Sequence, residues 1–249
     1  MNSFFASTPK EVIFFDMNNT LVDRRQCFDS AFLEVMADMT ARWDAADFDW
    51  TAQDTLQSYK MEWSKHRKMP SRVPAAPEEL RQICLQKALK PLPVSVSTAF
   101  TTAFFEQVES KEDGYVSLFP NVEETLESLA DKYTLAIISN GNRRQLEANV
   151  QKLRISKWIG KDRIFSSQYD GPRKPHPAIF ETALRKMGAT PAQSIMIGNS
   201  WKNDIVGATR CGLDAVWIHP AQIKKISQRR IGKQKVVIIR NFKQLQTIL

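Results

Sequence analysis

Residues 12–15, Val-Ile-Phe-Phe, run straight into Asp16-Met17-Asn18-Asn19-Thr20. An apolar run of that length, bounded by polar and turn-prone residues, predicts a strand covered on both faces, as in the interior of a parallel sheet. Asp16 then stands at the strand's carboxyl edge, where open α/β sheets bind their ligands. Residues 133–138, 194–197, 215–218 and 236–239 repeat the pattern, ending before Ser139, Gly198-Asn199, His219 and Arg240. Between these runs, EETLESLADK, QLEANVQKLRI, PAIFETALRKMG and DIVGATRCG have helical periodicity. Strands alternating with helices predict an α/β fold, a Rossmann-like doubly wound parallel sheet.

Residues 24–115 break the alternation. CFDSAFLEVMADMTARW, TAQDTLQSYKMEWSKHRK, APEELRQICLQKALK and VSTAFTTAFFEQVES place apolar residues three and four apart, the spacing of amphipathic helices. The organisation expected is a core of residues 1–23 and 116–249 with a helical insertion, 24–115, after the first strand. Pro70, Pro74, Pro77, Pro91 and Pro93 are read as punctuation between its helices. A helical subdomain over the carboxyl edge of a sheet can exclude water from Asp16 and touch a substrate.

Composition changes little. With 43% hydrophobic and 25% charged residues among 249, the chain is neither disordered nor membrane-spanning. The first ten residues, MNSFFASTPK, lack the features of a secretory signal, so a cytoplasmic location is expected. Cys27, Cys84 and Cys211 are far apart and lack CxxC spacing, which argues against a disulfide framework or a zinc site. The net charge of +8 is partly local, with Lys224, Lys225, Arg229, Arg230, Lys233 and Lys235 between two apolar runs. Without interleaved aromatics to stack bases, this reads as a solvated loop, and a nucleic-acid partner is disfavoured.

Four segments carry the chemistry. FFDMNNT, IISNGN, GPRKPHPAIF and IMIGNSWKNDIVGA, in that order and each near a predicted strand end, resemble the four motifs of the haloacid dehalogenase-like (HAD) superfamily. The resemblance implies a Rossmann-like core, and the insertion resembles that family's helical C1 cap. It makes Asp16 the nucleophile, a role that suits a carboxylate able to form a covalent intermediate. Thr20 and Ser139 correspond to its hydroxyl positions, with Ser139, Asn140 and Gly141 holding the transferred group. Gly141 is expected to permit the turn that points backbone amides inward. Lys174 corresponds to the lysine that stabilises the nucleophile and the phosphoryl charge. Asp204 corresponds to the last acid of the fourth motif, which helps to hold magnesium; it also opens the helix DIVGATRCG, where a plain capping role is the alternative. His176 is read as structural and Arg173 as solvated.

The sequence departs from that pattern twice. Where the usual first motif, DxDxT, has its second aspartate, this chain has Asn18, which neither gives nor takes a proton at neutral pH. Where the fourth motif usually has an acid after its glycine, it has Asn199, which keeps an oxygen ligand and loses a charge. A magnesium site of Asp16, Asn18, Asn199 and Asp204 is therefore expected to be weakened. Three readings stay open. The first is a phosphatase of a phosphorylated small molecule, working through an aspartyl-phosphate on Asp16, with Asn18 and Lys174 beside it, and best with acyl or aryl phosphates. The second is a 2-haloacid dehalogenase-like carbon–halogen hydrolase, with Arg24 or Arg25 as the arginine such enzymes use. The third is a catalytically impaired HAD-like binding protein. The phosphatase reading is preferred; substrate identity and oligomeric state do not follow from the residues.

Overall fold

The structure is a computed structural model that describes residues 4, 5, 9–41, 50–68, 76–219 and 225–249. Lys224 of the basic segment, Pro70, Pro74, and Arg42 and Trp43 at the end of the first predicted insertion helix lie outside the described residues. The chain divides into two compact units, residues 1–24 with 116–249, and residues 25–115.

The first unit is built on a seven-stranded sheet of order β3-β2-β1-β4-β5-β7-β6. Its strands are β1 (Val12–Phe15), β2 (Thr134–Ser139), β3 (Ile164–Ser166), β4 (Ser194–Gly198), β5 (Asp214–Ile218), β6 (Ser227–Ile231) and β7 (Gln234–Ile239). All pair in parallel except β6, which runs antiparallel along β7. Every residue of β1 and β4 is buried, as continuous apolar runs require when both faces are covered. The chain leaves β1 toward β2 and β3 on one side, and leaves β4 toward β5 on the other. The β1/β4 boundary is thus the switch point where doubly wound sheets open a crevice at the strands' carboxyl ends.

Two strands differ from the sequence expectation. β3 is only three residues long, too short for any periodicity to mark it. β6 takes up part of the segment expected to be a solvated loop: Ser227–Ile231 pairs with β7, with Arg229 and Arg230 exposed. A basic edge strand has few apolar residues to reveal it, and its charges discourage pairing with another chain.

The second unit is helical: α1 (Arg24–Thr40), α2 (Ala52–Lys68), α3 (Pro77–Ala88) and α4 (Thr98–Glu112). Its core gathers Phe32, Met36, Leu56, Tyr59, Leu85, Phe104 and Val108. Phe32 meets Phe104 edge-on at 5.1 Å between ring centroids; a fully buried side chain of this size contributes roughly 1.5–3 kcal/mol. Pro77 lies inside α3 as its first residue, where its missing N–H costs nothing, rather than between helices. Glu62 of α2 is buried between Lys65, at 2.6 Å, and Lys87 of α3, at 2.8 Å.

In the sheet unit, α5 (Val122–Ala130), α6 (Arg143–Lys152), α7 (Pro177–Met187), α8 (Gly207–Arg210) and α9 (Leu245–Ile248) complete the fold. Two of them start close to the switch point with clear caps. Asn142 caps α6 by accepting from the Arg144 and Gln145 amides. His176 caps α7 through Nδ1, which accepts from the Ala178 amide, and Pro177 follows as the first helical residue.

Candidate active site

Asp16 is fixed by the sheet. Its amide donates to the Ile197 carbonyl at 2.9 Å, extending the β1/β4 ladder by one residue. The chain then turns sharply, with the Leu21 and Val22 amides both donating to the Met17 carbonyl at 3.0 Å. Asn19 carries the turn in the left-handed region at φ 57°, a conformation that asparagine tolerates better than most residues. Thr20 comes out beneath the carboxylate. It is 1% exposed, and its hydroxyl donates to Asp16 Oδ2 at 3.1 Å and to Asn199 Oδ1 at 3.4 Å. This hydroxyl is engaged with the Asp16 and Asn199 side chains, and Thr20 is not on the wall of the cavity described below.

Lys174 is held from both ends. The Asn140 side chain clamps its main chain, with Oδ1 accepting from the Lys174 amide at 2.8 Å and Nδ2 donating to its carbonyl at 3.1 Å. The Lys174 ammonium donates to Asp16 Oδ1 at 2.8 Å, Asp204 Oδ1 at 2.6 Å and the Ile138 carbonyl at 2.7 Å. An ammonium has three donors, so all are used. Burial disfavours its charge, but Asp16 and Asp204 outweigh that cost and hold it above the ordinary lysine value.

Asp204 comes from an unexpected element. The sequence places it at a helix start, where it could be a simple cap; instead it lies inside a π-helical turn, Trp201–Val206, that leads into α8. Ser200 is the cap, its hydroxyl accepting from the Asn203 amide at 3.2 Å. Asp204 Oδ2 accepts from the Ser200 amide at 2.9 Å. Single π-turns within helices often occur at functional sites, where the wider turn redirects a side chain. Gly198 makes room, since a Cβ there would collide with the Asp204 carboxylate. Burial pushes the Asp204 carboxyl up to about 6, with Lys174 opposing and Asp16 adding to the rise. Asn199 is anchored through its carbonyl, which accepts from Trp217 Nε1 at 2.9 Å.

The loop after β2 supplies the remaining wall. Ser139 Oγ accepts from the Gly141 amide at 3.2 Å, and the Gly141 carbonyl accepts from Ser166 Oγ at 2.7 Å. Gly141 is not in the left-handed region, and a Cβ there would meet Leu146 and Ser139 no closer than 3.4 Å. The reason expected for a glycine, a turn closed to other residues, does not apply. The ten-residue helix α6 begins just beyond, and the partial positive charge of its start favours an anion near this loop.

A cavity of about 250 Å³ collects these groups. Asp16, Asn18, Ser139, Asn140, Gly141, Lys174, Asn199 and Asp204 line it, so every predicted site residue except Thr20 reaches its wall. Arg173, Ser200 and Asn203 line it as well. Arg173 was readable only as a solvated cation, although its place beside Lys174 was a signal. Ser200 and Asn203 fall within GNSWKND, whose spacing could have marked them. His219 and the other two histidines contribute nothing to this wall.

Two acids and two bases line the cavity, so a phosphate dianion meets no net negative charge there. The oxygens of Asp16, Asp204, Asn18 and Asn199 suit a hard cation such as magnesium, which is commonly held by one or two carboxylates with water and phosphate oxygens. Among the described residues no cluster of three or more His, Cys, Asp or Glu could hold a metal. The fit is thus to a loosely held cation that shares its coordination with a ligand.

The fold and this wall define the class as a doubly wound α/β protein with a strand-end aspartate, a buried lysine and a second acid at its switch-point crevice. The haloacid dehalogenase-like hydrolase model matches residues 10–212, and the chain belongs to that family. It is 35% identical over 134 residues to a glyceraldehyde 3-phosphate phosphatase of Methanothermobacter thermautotrophicus, covering 53% of this chain and 58% of the relative. It is 28% identical over 208 residues to the enzyme of the same name from Pyrococcus furiosus, covering 83% and 80%. Among solved structures, the HAD-hydrolase YfnB of Bacillus subtilis, bound to magnesium, superposes with a TM-score of 0.66 at 17% identity over 97% of this chain and 99% of that one. At that identity the likeness is one of fold. No described helix is long and apolar enough to cross a membrane.

Proposed function

We propose that this hydrolase is a phosphatase of a phosphorylated small molecule, with Asp16 as the nucleophile that takes up the phosphoryl group. The observation that carries this reading is the Lys174 ammonium bonded to both Asp16 and Asp204 at the switch point. A cation fixed beside the attacking carboxylate holds it in place and faces the charge of the incoming phosphoryl oxygens. The relatives named as phosphatases of a sugar phosphate support the same substrate class.

In this reading Ser139 and the loop through Gly141 face the phosphoryl oxygens, aided by the start of α6. Asn140 acts through Lys174, whose main chain it clamps. Thr20 orients the Asp16 carboxylate from behind. Asp16, Asn18, Asn199 and Asp204 are the residues that would hold magnesium, which supplies charge neutralisation on phosphate oxygens when bound. The insertion of residues 25–115 is read as the cap of such an enzyme, and the location as cytoplasmic.

The test is hydrolysis of p-nitrophenyl phosphate by the wild-type chain with magnesium and with EDTA, using Asp16→Ala as the control. Magnesium-dependent turnover that disappears in Asp16→Ala is expected. Release equal in the two proteins would end the phosphatase reading.

A further inference from the structure

The cavity holds a nucleophile but no free proton carrier. Among its described lining residues, the titratable side chains are Asp16, Asp204, Lys174 and Arg173. Asp16 is the attacking group itself. Both Asp204 oxygens are engaged as acceptors, Oδ1 from Lys174 and Oδ2 from the Ser200 amide. Lys174 has spent all three of its donors on fixed oxygens, and arginine does not titrate in the working range. The remaining wall is amide, hydroxyl and glycine: Asn18, Asn199, Asn140, Asn203, Ser139, Ser200 and Gly141.

Resting on the phosphatase reading and deepening it, we propose that this site takes its phosphoryl group from acyl phosphates and retains it as a long-lived phospho-Asp16. In the first step an Asp16 oxygen forms a bond to phosphorus, and the bond from phosphorus to the acyl oxygen breaks. The electron pair leaves on a carboxylate, which is stable without a proton at neutral pH. An alkyl phosphate would have to expel an alkoxide, and no titratable group in the wall is free of fixed partners to protonate it. The second step is the hydrolysis of phospho-Asp16. Water must form the new bond to phosphorus and lose a proton while the Asp16 carboxylate departs; no base in the wall takes that proton, which passes only to solvent or phosphate. General acid–base help is worth roughly 10²–10⁴-fold, so both alkyl-phosphate cleavage and dephosphorylation are slowed by about that factor. Phosphoryl transfer from an acyl phosphate to Asp16 is spared, and the covalent form accumulates.

The experiment mixes the full-length wild-type protein with acetyl phosphate and magnesium, quenches in acid, and reads intact mass alongside the release of acetate and of phosphate. Glyceraldehyde 3-phosphate serves as the alkyl comparison. Expected are a mass gain of one phosphoryl group on most molecules, its loss on treatment with hydroxylamine, its absence in Asp16→Asn, and a burst of acetate followed by slow release of phosphate. In Asn18→Asp, which supplies a carboxyl at the cavity wall, the adduct should be depleted and release accelerated. The wild-type adduct and acetate burst stand alone as the test should that variant fold poorly. Steady turnover of both donors with no adduct would overturn the proposal and leave the phosphatase reading intact. Neither adduct nor release above Asp16→Asn, from either donor, would overturn both.

Discussion

Replacing Lys174 with methionine tests the electrostatic design of the site. The substitution keeps most of the side-chain length and removes an ammonium that is 2% exposed, lying between carboxylates that are 9% and 1% exposed. Removing one partner of a buried ion pair costs about 3–5 kcal/mol, because the other charge stays buried and unpaired. Here two carboxylates are stranded together, and the Ile138 carbonyl loses its donor, which adds about 1 kcal/mol. In a unit of this size, 1 kcal/mol moves Tm by about 2–4 °C, so a fall of roughly 8–24 °C is expected. Thermal unfolding followed by near-UV circular dichroism reads it. The deficit should depend on pH. Without the lysine, which opposes the rise, the Asp204 carboxyl, already pushed by burial to about 6, moves further above its unfolded value near 4. Protonation then favours the fold at low pH, and this advantage is lost as pH rises through the raised value. The deficit is therefore large at pH 7 and shrinks toward pH 5, and adding Asp204→Asn to Lys174→Met should recover part of it at pH 7. A melting temperature within about 2 °C of wild type at pH 7 would refute the reasoning. A deficit constant with pH would show that packing, not charge, sets the loss.

Other outcomes follow from single contacts. Gly198→Ala drives a Cβ into the Asp204 carboxylate; overpacking of this kind costs about 1–3 kcal/mol, and unchanged stability with unchanged activity would mean that the π-turn yields freely. Asn18→Asp should raise steady-state hydrolysis of an alkyl phosphate by roughly 10²–10⁴-fold while leaving the rate of phosphorylation by acetyl phosphate within about tenfold, and equal effects on both would contradict the leaving-group account. In the helical unit, hydrogen bonds from Lys65 and then Lys87 hold the Glu62 carboxyl down to about 2. Its contribution to stability is present above the unfolded value near 4.3 and is lost as pH falls through about 2. Glu62→Gln should accordingly melt below wild type at pH 6 and converge with it at pH 2; parallel curves would show that the pairs are idle.

Much of this protein is legible in one dimension. Continuous apolar runs determined β1, β2, β4, β5 and β7, because burial on both faces leaves no alternation to mislead. The polar residues that end those runs marked Asp16 and Ser139 at the carboxyl edge, and the prolines after Lys174 marked the start of α7. The two asparagines at positions 18 and 199 were equally plain, and with them the shortage of proton carriers. Tertiary structure alone decided how these pieces meet. Lys174 is 158 positions from Asp16 and 30 from Asp204, and which strand ends adjoin, not any local period, brings one ammonium between both acids. The same is true of Asn140, read as a substrate contact but engaged with the Lys174 main chain 34 positions away. The π-turn at Trp201–Val206 was invisible because its residues repeat too briefly to distinguish a wide turn from an α-helical one. β3 and β6 were missed for related reasons, one too short to have a pattern and the other an edge whose side chains are mostly exposed. Local sequence reports how each residue meets solvent, whereas the chemistry of this site depends on distances between residues that only the folded sheet brings together.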